Sequence, residues 1–255
     1  MELIKQYNSV NEKINLNKNL IKNTSNLMQS IYKRWFVEFN FPDNEWKEYR
    51  LNSGEFEFNK SLDAEIPKWW EVMKISEFCK NMSNWSTPLR NVREYWDKKE
   101  IPWLKSWEVH NCIIIDTEEY ISQIWFENTS TKLLPINTVI IALYWVTAWE
   151  VWFLKCETTT NQACCWMVCN SIIEALYLYN FLLYNQKEIS QLANWWAQDN
   201  LSKDIIENLK ITVPPKEILD KFNLEWVIEF QFLKTKENYL LDKIRNLIFS
   251  KMSQL

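Results

Sequence analysis

Apolar residues recur along residues 1–38 at alternating spacings of three and four. Two polar residues, Asn17 and Thr24, fill the positions where the stripe would otherwise be interrupted. This pattern predicts an amphipathic helix long enough for a coiled-coil seam, in which a polar Asn fixes the register. The stripe consists of Leu3, Tyr7, Val10, Ile14, Ile21, Met28, Ile31 and Trp35.

A second stripe lies at the other end of the chain. Pro214 and Pro215 stand where a helix can begin, and an approximate heptad follows, interrupted by Glu237 and Lys251. The apolar positions are Phe230, Leu233, Leu240, Ile244, Leu247 and Leu255. Two arrangements are open: the two helices pack separately on one core, or they pair with each other as an antiparallel coiled coil. We expect the pair.

The region between the stripes divides into two parts. Residues 40–65 are polar with few periodic apolar positions, which is typical of a linker. Residues 66–213 contain short β-rich runs ("NCIIID", "NTVIIALY", "VWFLK") and the helical pattern "IIEALYLYNFLLYNQKEISQLA". This mixture predicts one α+β domain. The expected division is therefore a helix at 1–39, a linker at 40–65, a globular domain at 66–213 and a helix at 214–255.

Composition narrows the choice of function class. The net charge of −4 gives no global signature of a nucleic-acid-binding protein, so any DNA contact would depend on a local patch. There is no apolar run of membrane-spanning length and no signal-peptide pattern. A cytoplasmic protein is expected.

The cysteines do not form a metal-binding pattern. Six of them occur without CxxC spacing, at positions Cys79, Cys112, Cys156, Cys164, Cys165 and Cys169. His110 is the single histidine, so we expect no zinc site and instead buried, reduced thiols. An enzyme with Cys164 or Cys165 as nucleophile and His110 as base is an alternative. For that alternative, the sequence offers neither a second histidine nor a motif that would orient the nucleophile and the base.

Several ordered motifs resemble one known family. They are "AEIPKWWEV", "IPWLKSWEV", "TNQACC" and "AQDNLSKDIIENLKITVPP". Together they resemble the specificity subunits of type I restriction-modification systems. In that family, similar motifs occur at the start, within and at the end of a target-recognition domain, which is followed by a helical spacer. The resemblance covers essentially the whole chain. Typical members carry two recognition domains, so this chain resembles a half-subunit or the second half of a split gene.

The resemblance implies a function without catalysis. Such a subunit recognises double-stranded DNA and directs partner methyltransferase and restriction subunits to the target. No adenosylmethionine-binding, helicase P-loop or nuclease signature is present, so no cofactor is expected. One recognition domain implies a homodimer or pairing with another half-subunit, with the helix pair as spacer. A coiled-coil assembly protein that does not read DNA is the alternative.

The candidate DNA contacts come mainly from residues 80–105, which contain six cationic side chains and three carboxylates. Alone, this run would indicate a solvated face, but with the resemblance it indicates phosphate contacts. Polar side chains suited to base edges occur there and in later loops. The candidates are Ser86, Thr87, Arg90, Arg93, Lys98, Lys99, Lys105, Ser106, Glu108, Thr147, Asn161 and Gln162. For Asn161 and Gln162, backbone hydrogen bonds within the core remain an alternative.

The tryptophan and glycine counts are unusual. The chain has 16 Trp and one Gly, whereas average usage predicts roughly 18 glycines. Trp35, Trp70, Trp96 and Trp103 match tryptophans of the family, and Trp226 has no assignment. At eleven other tryptophans the family pattern has glycine: Trp46, Trp69, Trp85, Trp107, Trp125, Trp145, Trp149, Trp152, Trp166, Trp195 and Trp196.

One hypothesis explains both counts: the organism reads the codon UGA as glycine, whereas the sequence was translated with a code that reads UGA as tryptophan. The alternative is an aromatic-rich natural domain. If the hypothesis holds, the indoles near 145–152 and 195–196 should lie on strained turns or at the surface, and be more exposed than Trp70, Trp96 and Trp103. If positions 145, 149 and 152 are glycine, their spacing is typical of a tight turn or bulge and does not match that of a phosphate-binding loop.

Overall fold

The computed structural model describes residues 2–43, 45–108, 113–143, 149–195 and 202–254, excepting the side chains of 192–195. The helices are α1 (Glu2–Tyr32), α2 (Ile75–Phe78), α3 (Gln123–Glu127), α4 (Ile172–Tyr184), α5 (Gln186–Trp195), α6 (Lys203–Asn208), α7 (Lys216–Lys221) and α8 (Glu225–Met252). The strands are β1 (Phe56–Asn59), β2 (Ala64–Pro67), β3 (Glu71–Lys74), β4 (Asn81–Ser83), β5 (Ile101–Leu104), β6 (Ile113–Ile114), β7 (Glu119–Ile121), β8 (Val139–Ala142), β9 (Val151–Leu154), β10 (Thr159–Thr160), β11 (Cys164–Val168) and β12 (Lys210–Val213). None of the described helices is both long and apolar enough to cross a membrane.

A five-stranded sheet forms the centre of the globular domain, in the order β4-β11-β8-β9-β6. Its pairs are antiparallel except β6 with β9. Along β8, Val139 and Ile141 belong to the core that includes α4, whereas Ile140 and Ala142 belong to the core on the opposite face. Continuous apolar runs such as "VIIAL" form strands here because both faces of the sheet are buried. The α+β class predicted from sequence is confirmed.

Three smaller sheets accompany the five-stranded sheet in the described part of the chain. β10, β5 and β7 form one sheet, β1 pairs with β2, and β12 pairs with β3. In the last pair Glu71 lies opposite Val213, so the strand that opens the domain hydrogen-bonds to the strand that closes it. The two helices at the chain ends therefore leave the domain near each other.

The two long helices α1 and α8 pair in antiparallel orientation, as predicted. The ring of Tyr7 lies 6.4 Å from that of Phe249, and Asn17 Nδ2 donates to Asn238 Oδ1 at 3.0 Å. Nearer the domain, the Gln231 amide donates to the Thr24 hydroxyl at 3.0 Å. The predicted α1 stripe is confirmed, because each of its positions is buried or half-buried.

The predicted seam of α8 is wrong. Phe230 is half-buried, but Leu233, Leu240, Ile244 and Leu247 are all exposed, and Leu255 lies outside the described residues. Hydrogen bonds to α1 instead come from Gln231 and Asn238, which therefore lie on the side of α8 that faces α1. Two heptad stripes compete on this helix. The more polar one faces α1, because the buried Asn17 and the half-buried Thr24 of α1 form hydrogen bonds with its side chains.

The start of the second long helix also differs from the prediction. A short helix, α7, follows Pro215, and α8 begins only at Glu225. Between them the side chains of Phe222 and Leu224 turn into the core, which interrupts the helix.

Residues 40–65, predicted as a linker, contribute to the fold. They include β1, the first half of β2 and the buried Phe41, whose ring stacks on Tyr49 at 4.6 Å. Just before them, Phe39 meets Trp70 edge-on at 5.3 Å. The aromatic rings of "FNF" outweigh the polarity of the segment, because burying each one removes a large apolar area from water. The division of the chain into four parts stays a prediction.

Polar and ionic contacts fix the helix pair to the domain. Gln29 on α1 donates to Asn180 Oδ1 of α4 at 2.8 Å, and Asn180 is fully buried. On α8, Glu229 pairs with Lys155, and the Tyr239 hydroxyl donates to the carboxylate of Asp116 at 3.3 Å. These contacts set the angle between helices and domain.

Candidate nucleic-acid interface

The segment between β4 and β5 carries most of the candidate DNA contacts. It has no strand of its own: a turn is closed by Val92 N–H donating to the Leu89 carbonyl at 3.2 Å, and a single 3₁₀ turn follows at Arg93–Tyr95. We call residues 84–99 the cationic loop. Its exposed candidates are Ser86, Arg90, Arg93, Lys98 and Lys99, while Thr87 is half-buried.

Aromatic contacts hold the cationic loop against the sheet of β5. The indole N–H of Trp96 donates to the Leu89 carbonyl at 3.1 Å. The guanidinium carbon of Arg90 lies 3.8 Å from the centre of the Trp96 ring, and Trp96 meets the buried Trp103 edge-on at 4.9 Å. A cation over an indole face is attracted by the ring quadrupole. The loop therefore has a fixed conformation although it lacks regular structure.

Lys105 is not available to a phosphate, because only 4% of it is exposed. Its ammonium lies 3.0 Å from Glu119, 3.2 Å from Glu118 and 3.7 Å from Glu108. The apolar strand "IPWL" draws the following residue into the interior, where three carboxylates surround it. Arg90 joins this cluster through Glu119, at 2.6 Å. Glu108 was a sequence candidate as a DNA contact, but the sequence prediction missed Glu118 and Glu119, whose only signal was the acidic pair in "DTEEY".

The charges in this cluster shift pKa values in different directions. Burial lowers the pKa of Lys105, but hydrogen bonds to Glu119 and Glu118 outweigh it, so the pKa is raised overall. Burial tends to raise the pKa of Glu119, yet hydrogen bonds from Arg90 and Lys105 leave it below its ordinary value. For Glu108 burial dominates and raises the pKa. Lys105 thus stays charged at neutral pH and stabilises the ionised form of Glu119.

The remaining candidates divide by exposure. Ser106 and Asn161 are buried, and Glu108 accepts hydrogen bonds from the backbone of Lys105 and Glu118. Asn161 Oδ1 accepts from Ala163 N–H at 3.1 Å, which is the structural alternative considered above. Thr147 and His110 lie outside the described residues.

Gln162 is exposed and lies beside the cationic loop. Its carbonyl accepts a hydrogen bond from the amide of Asn84 at 3.3 Å. Asn84 was not a candidate in the sequence, although it stands just before Trp85 and Ser86 in a polar run. The structure thus brings Ser86 and Gln162 to the same part of the surface through Asn84.

The thiols do not support a cysteine nucleophile. Cys164 and Cys165 are completely buried, and burial raises both pKa values, so the thiols are protonated at neutral pH. The thiolate is the nucleophilic form. Cys79, Cys156 and Cys169 are also free. In the described part of the chain, no His, Cys, Asp and Glu side chains cluster as metal ligands would.

Among the described residues, three of the tryptophans assigned as glycine have left-handed backbone conformations. Trp46, Trp69 and Trp149 have φ of 62°, 82° and 77°. Trp149 N–H donates to the Ala142 carbonyl while Ala142 N–H donates to Glu150, which is the pattern of a bulge whose first residue is normally glycine. The same hydrogen-bond pattern occurs at Trp46: its N–H donates to the Asp43 carbonyl, and Asp43 N–H donates to the Lys47 carbonyl. The predicted bulge is therefore confirmed at position 149.

The expected exposure of the indoles is wrong for Trp152, a residue of β9 that is fully buried in the core on the sheet face opposite α4. Trp166 is also buried and stacks on Trp85 at 5.0 Å. Their hydrogen bonding is nevertheless incomplete. The indole N–H groups of Trp85, Trp125, Trp152 and Trp166 are buried without a partner, and all four belong to the eleven. Trp145 and Trp196 lie outside the described residues.

Comparison with known proteins gives consistent matches. The family model for the type I restriction modification DNA specificity domain matches residues 67–248. The type I restriction enzyme MjaIX specificity subunit of Methanocaldococcus jannaschii is 26% identical over 227 residues, covering 87% of this chain and 50% of the relative. The EcoR124I/EcoR124II specificity subunit of Escherichia coli is 26% identical over 204 residues, covering 73% of this chain and 47% of the relative. The chain spans about half the length of these relatives.

Solved structures show the same fold. The S subunit of a type I restriction-modification system from M. genitalium superimposes with a TM-score of 0.56 at 11% identity, covering 99% of this chain and 56% of that one. A chain from a structural study of complex assembly and conformational transition of the type I R-M system gives a TM-score of 0.51 at 15% identity, covering 98% and 56%.

Proposed function

Because this chain belongs to the type I restriction-modification DNA specificity family, we propose that it recognises a specific double-stranded DNA sequence and directs partner methyltransferase and restriction subunits to it. The observation that carries the proposal is the cationic loop: it is exposed and held rigidly on a domain that is itself fixed to a helix pair. Preorganised loops lose little entropy when they bind.

Within the proposal, the loop residues have two roles. Arg93, Lys98 and Lys99 are exposed cations that contact phosphates, which supplies affinity. Ser86 and Gln162 offer hydrogen-bonding groups to base edges, which supplies specificity.

The helix pair is the spacer and the docking surface of the proposed assembly. Pairing through the polar seam leaves Trp226, Leu233, Leu240, Ile244 and Leu247 exposed at heptad spacing on α8. A helix of a partner methyltransferase subunit would bury this stripe. The described residues form one recognition domain beside the helix pair, and we include a homodimer, or pairing with another half-subunit, in the proposal.

The chain itself would act without catalysis or cofactor, with methyl transfer and cleavage carried out by its partners. A cytoplasmic location is part of the proposal, since the DNA and these partners are found there. The rival function is an assembly protein that uses the same helix pair without reading DNA.

Charge reversal separates the two functions. The variant Arg93→Glu, Lys98→Glu, Lys99→Glu changes three exposed cations of the loop, and the control Lys5→Glu, Lys18→Glu, Lys22→Glu makes the same charge change on α1. Lys105 is left intact because reversing it would break a buried ion cluster. If each loop cation contacts one phosphate, the log–log salt slope of DNA binding falls by about 2.7 in the first variant and is unchanged in the control. Equal binding by the two variants, with partner binding retained, would favour the assembly protein.

A further inference from the structure

Leu89 is an apolar side chain held in solvent at the tip of the cationic loop. It is 63% exposed and stands between the buried Pro88 and Arg90. Single exposed leucines are common on protein surfaces. Leu89 differs from most of them in how firmly its backbone is held.

Two hydrogen bonds converge on the Leu89 carbonyl, from Val92 N–H at 3.2 Å and from the Trp96 indole at 3.1 Å. The next residue, Arg90, is held between the Trp96 ring and the Glu119 carboxylate. Trp96 is one of the tryptophans that match the family, so these contacts do not depend on the doubtful positions. The backbone at Leu89 is therefore held in place, and the exposed leucine side chain projects from a defined position on the loop.

The surroundings indicate what that partner is. Arg90 and Arg93 follow Leu89 on the turn, and Lys98 and Lys99 are exposed in the same loop, so four cations outnumber its two carboxylates, Glu94 and Asp97. A partner that complements this charge is a polyanion. A polyanion that also packs against the apolar Leu89 side chain must present methyl groups between its phosphates. In the major groove of DNA, the C5-methyl group of thymine is the apolar feature of the base edges.

We propose that Leu89 determines specificity by packing against the C5-methyl group of a thymine in the major groove of the target. This inference rests on the proposed function. It assigns one base preference to one side chain, whereas Arg93, Lys98 and Lys99 contribute independently of sequence.

The test couples a protein change to a DNA change. The full chain, Leu89→Ala and the control Leu51→Ala, which alters another exposed leucine, are each used to enrich sequences from a random duplex pool. In the motif enriched by the unchanged chain, each thymine is then replaced by uracil, which removes only the methyl group. One replacement should weaken binding of the unchanged chain and of Leu51→Ala about fourfold, the worth of one buried methyl group, and leave Leu89→Ala unaffected.

The possible failures are distinguishable. If Leu89→Ala enriches the same motif with the same base weights, or loses as much affinity on uracil replacement as the unchanged chain, the role of Leu89 is refuted while DNA recognition stands. If the unchanged chain enriches no motif, the proposed function fails and the inference with it. Far-ultraviolet circular dichroism of each variant shows whether it is folded.

Discussion

Asn17 and Asn238 meet across the antiparallel helix pair, where the Asn17 amide donates to Asn238 Oδ1 at 3.0 Å. Asn17 is fully buried and its own Oδ1 has no partner in the described structure. About two helical turns closer to the domain, Gln231 donates to Thr24 and Ser25. These two polar layers occupy positions where leucine would pack better, so they reduce stability while fixing which residues face each other.

Replacing the first layer with leucine tests this account. Asn17→Leu with Asn238→Leu should raise the free energy of unfolding by about 1–3 kcal/mol, because a half-satisfied buried amide is replaced by apolar contact. Register should become less defined, which double electron–electron resonance between spin labels at positions 5 and 251 would report as a broader distance distribution. Lower stability with an unchanged distribution would contradict the role assigned to the pair.

The same helices show what the sequence could and could not predict. The α1 stripe was predicted correctly because its apolar positions form one continuous seam. On α8 the stripe through Leu233 and Leu240 is more apolar than the seam through Gln231 and Asn238, and periodicity alone selected the wrong one. The choice depends on the polar groups of the partner helix, which are distant in sequence.

The candidate site shows a similar limit. Exposure of Arg93, Lys98 and Lys99 agrees with a polar loop, but Lys105 is buried next to an apolar strand. Its charge is stabilised there by Glu108, Glu118 and Glu119, up to fourteen residues away. A single sequence does not show which carboxylates a lysine will meet. The α+β domain itself was predictable, because strands buried on both faces leave long apolar runs.

Adjacent tryptophans provide a test of the glycine hypothesis. Trp69 is 72% exposed and is the third residue of a turn closed by Trp70 N–H donating to the Pro67 carbonyl, with φ of 82°. Trp69→Gly should stabilise the protein by about 1 kcal/mol, because relief of the left-handed strain exceeds the contact with Lys68, worth about 0.5 kcal/mol.

Trp70→Gly is the matched control, since Trp70 is 5% exposed and packs against Phe36 and Phe39. It should lose about 3 kcal/mol or more in urea unfolding. A loss of stability in Trp69→Gly would argue that this tryptophan is native to its turn.

The mass of the protein made in its own cells tests the hypothesis at all eleven positions together. Glycine at Trp46, Trp149 and the others would lower the intact mass by eleven tryptophan-to-glycine differences, and peptide sequencing would locate each one. Peptides with tryptophan at Trp152 and Trp166 would rule the hypothesis out there and require the orphaned indole N–H groups to be natural.

The ion cluster beneath the cationic loop should make stability depend on pH. The pKa of Glu119 is lowered in the folded state, so its contribution is present above the unfolded pKa of about 4.3 and is lost as the pH falls through the folded value. Glu119→Gln should therefore be less stable than the unchanged chain near neutral pH, and the deficit should disappear in acid. Urea unfolding across this range measures it. A deficit that is constant with pH, or equally large in the exposed control Glu94→Gln, would exclude the charge effect.

Site-specific photo-crosslinking tests the central claim, that the cationic loop meets DNA, most directly. A benzophenone side chain is placed at Ser86, at Gln162 or at Leu16, an exposed position of α1, and each full-length protein is irradiated with duplex DNA carrying the enriched motif. Crosslinks from Ser86 and Gln162, with none from Leu16, are the predicted result. Crosslinks from Leu16 alone, or none from any position on DNA that the protein demonstrably binds, would contradict the account.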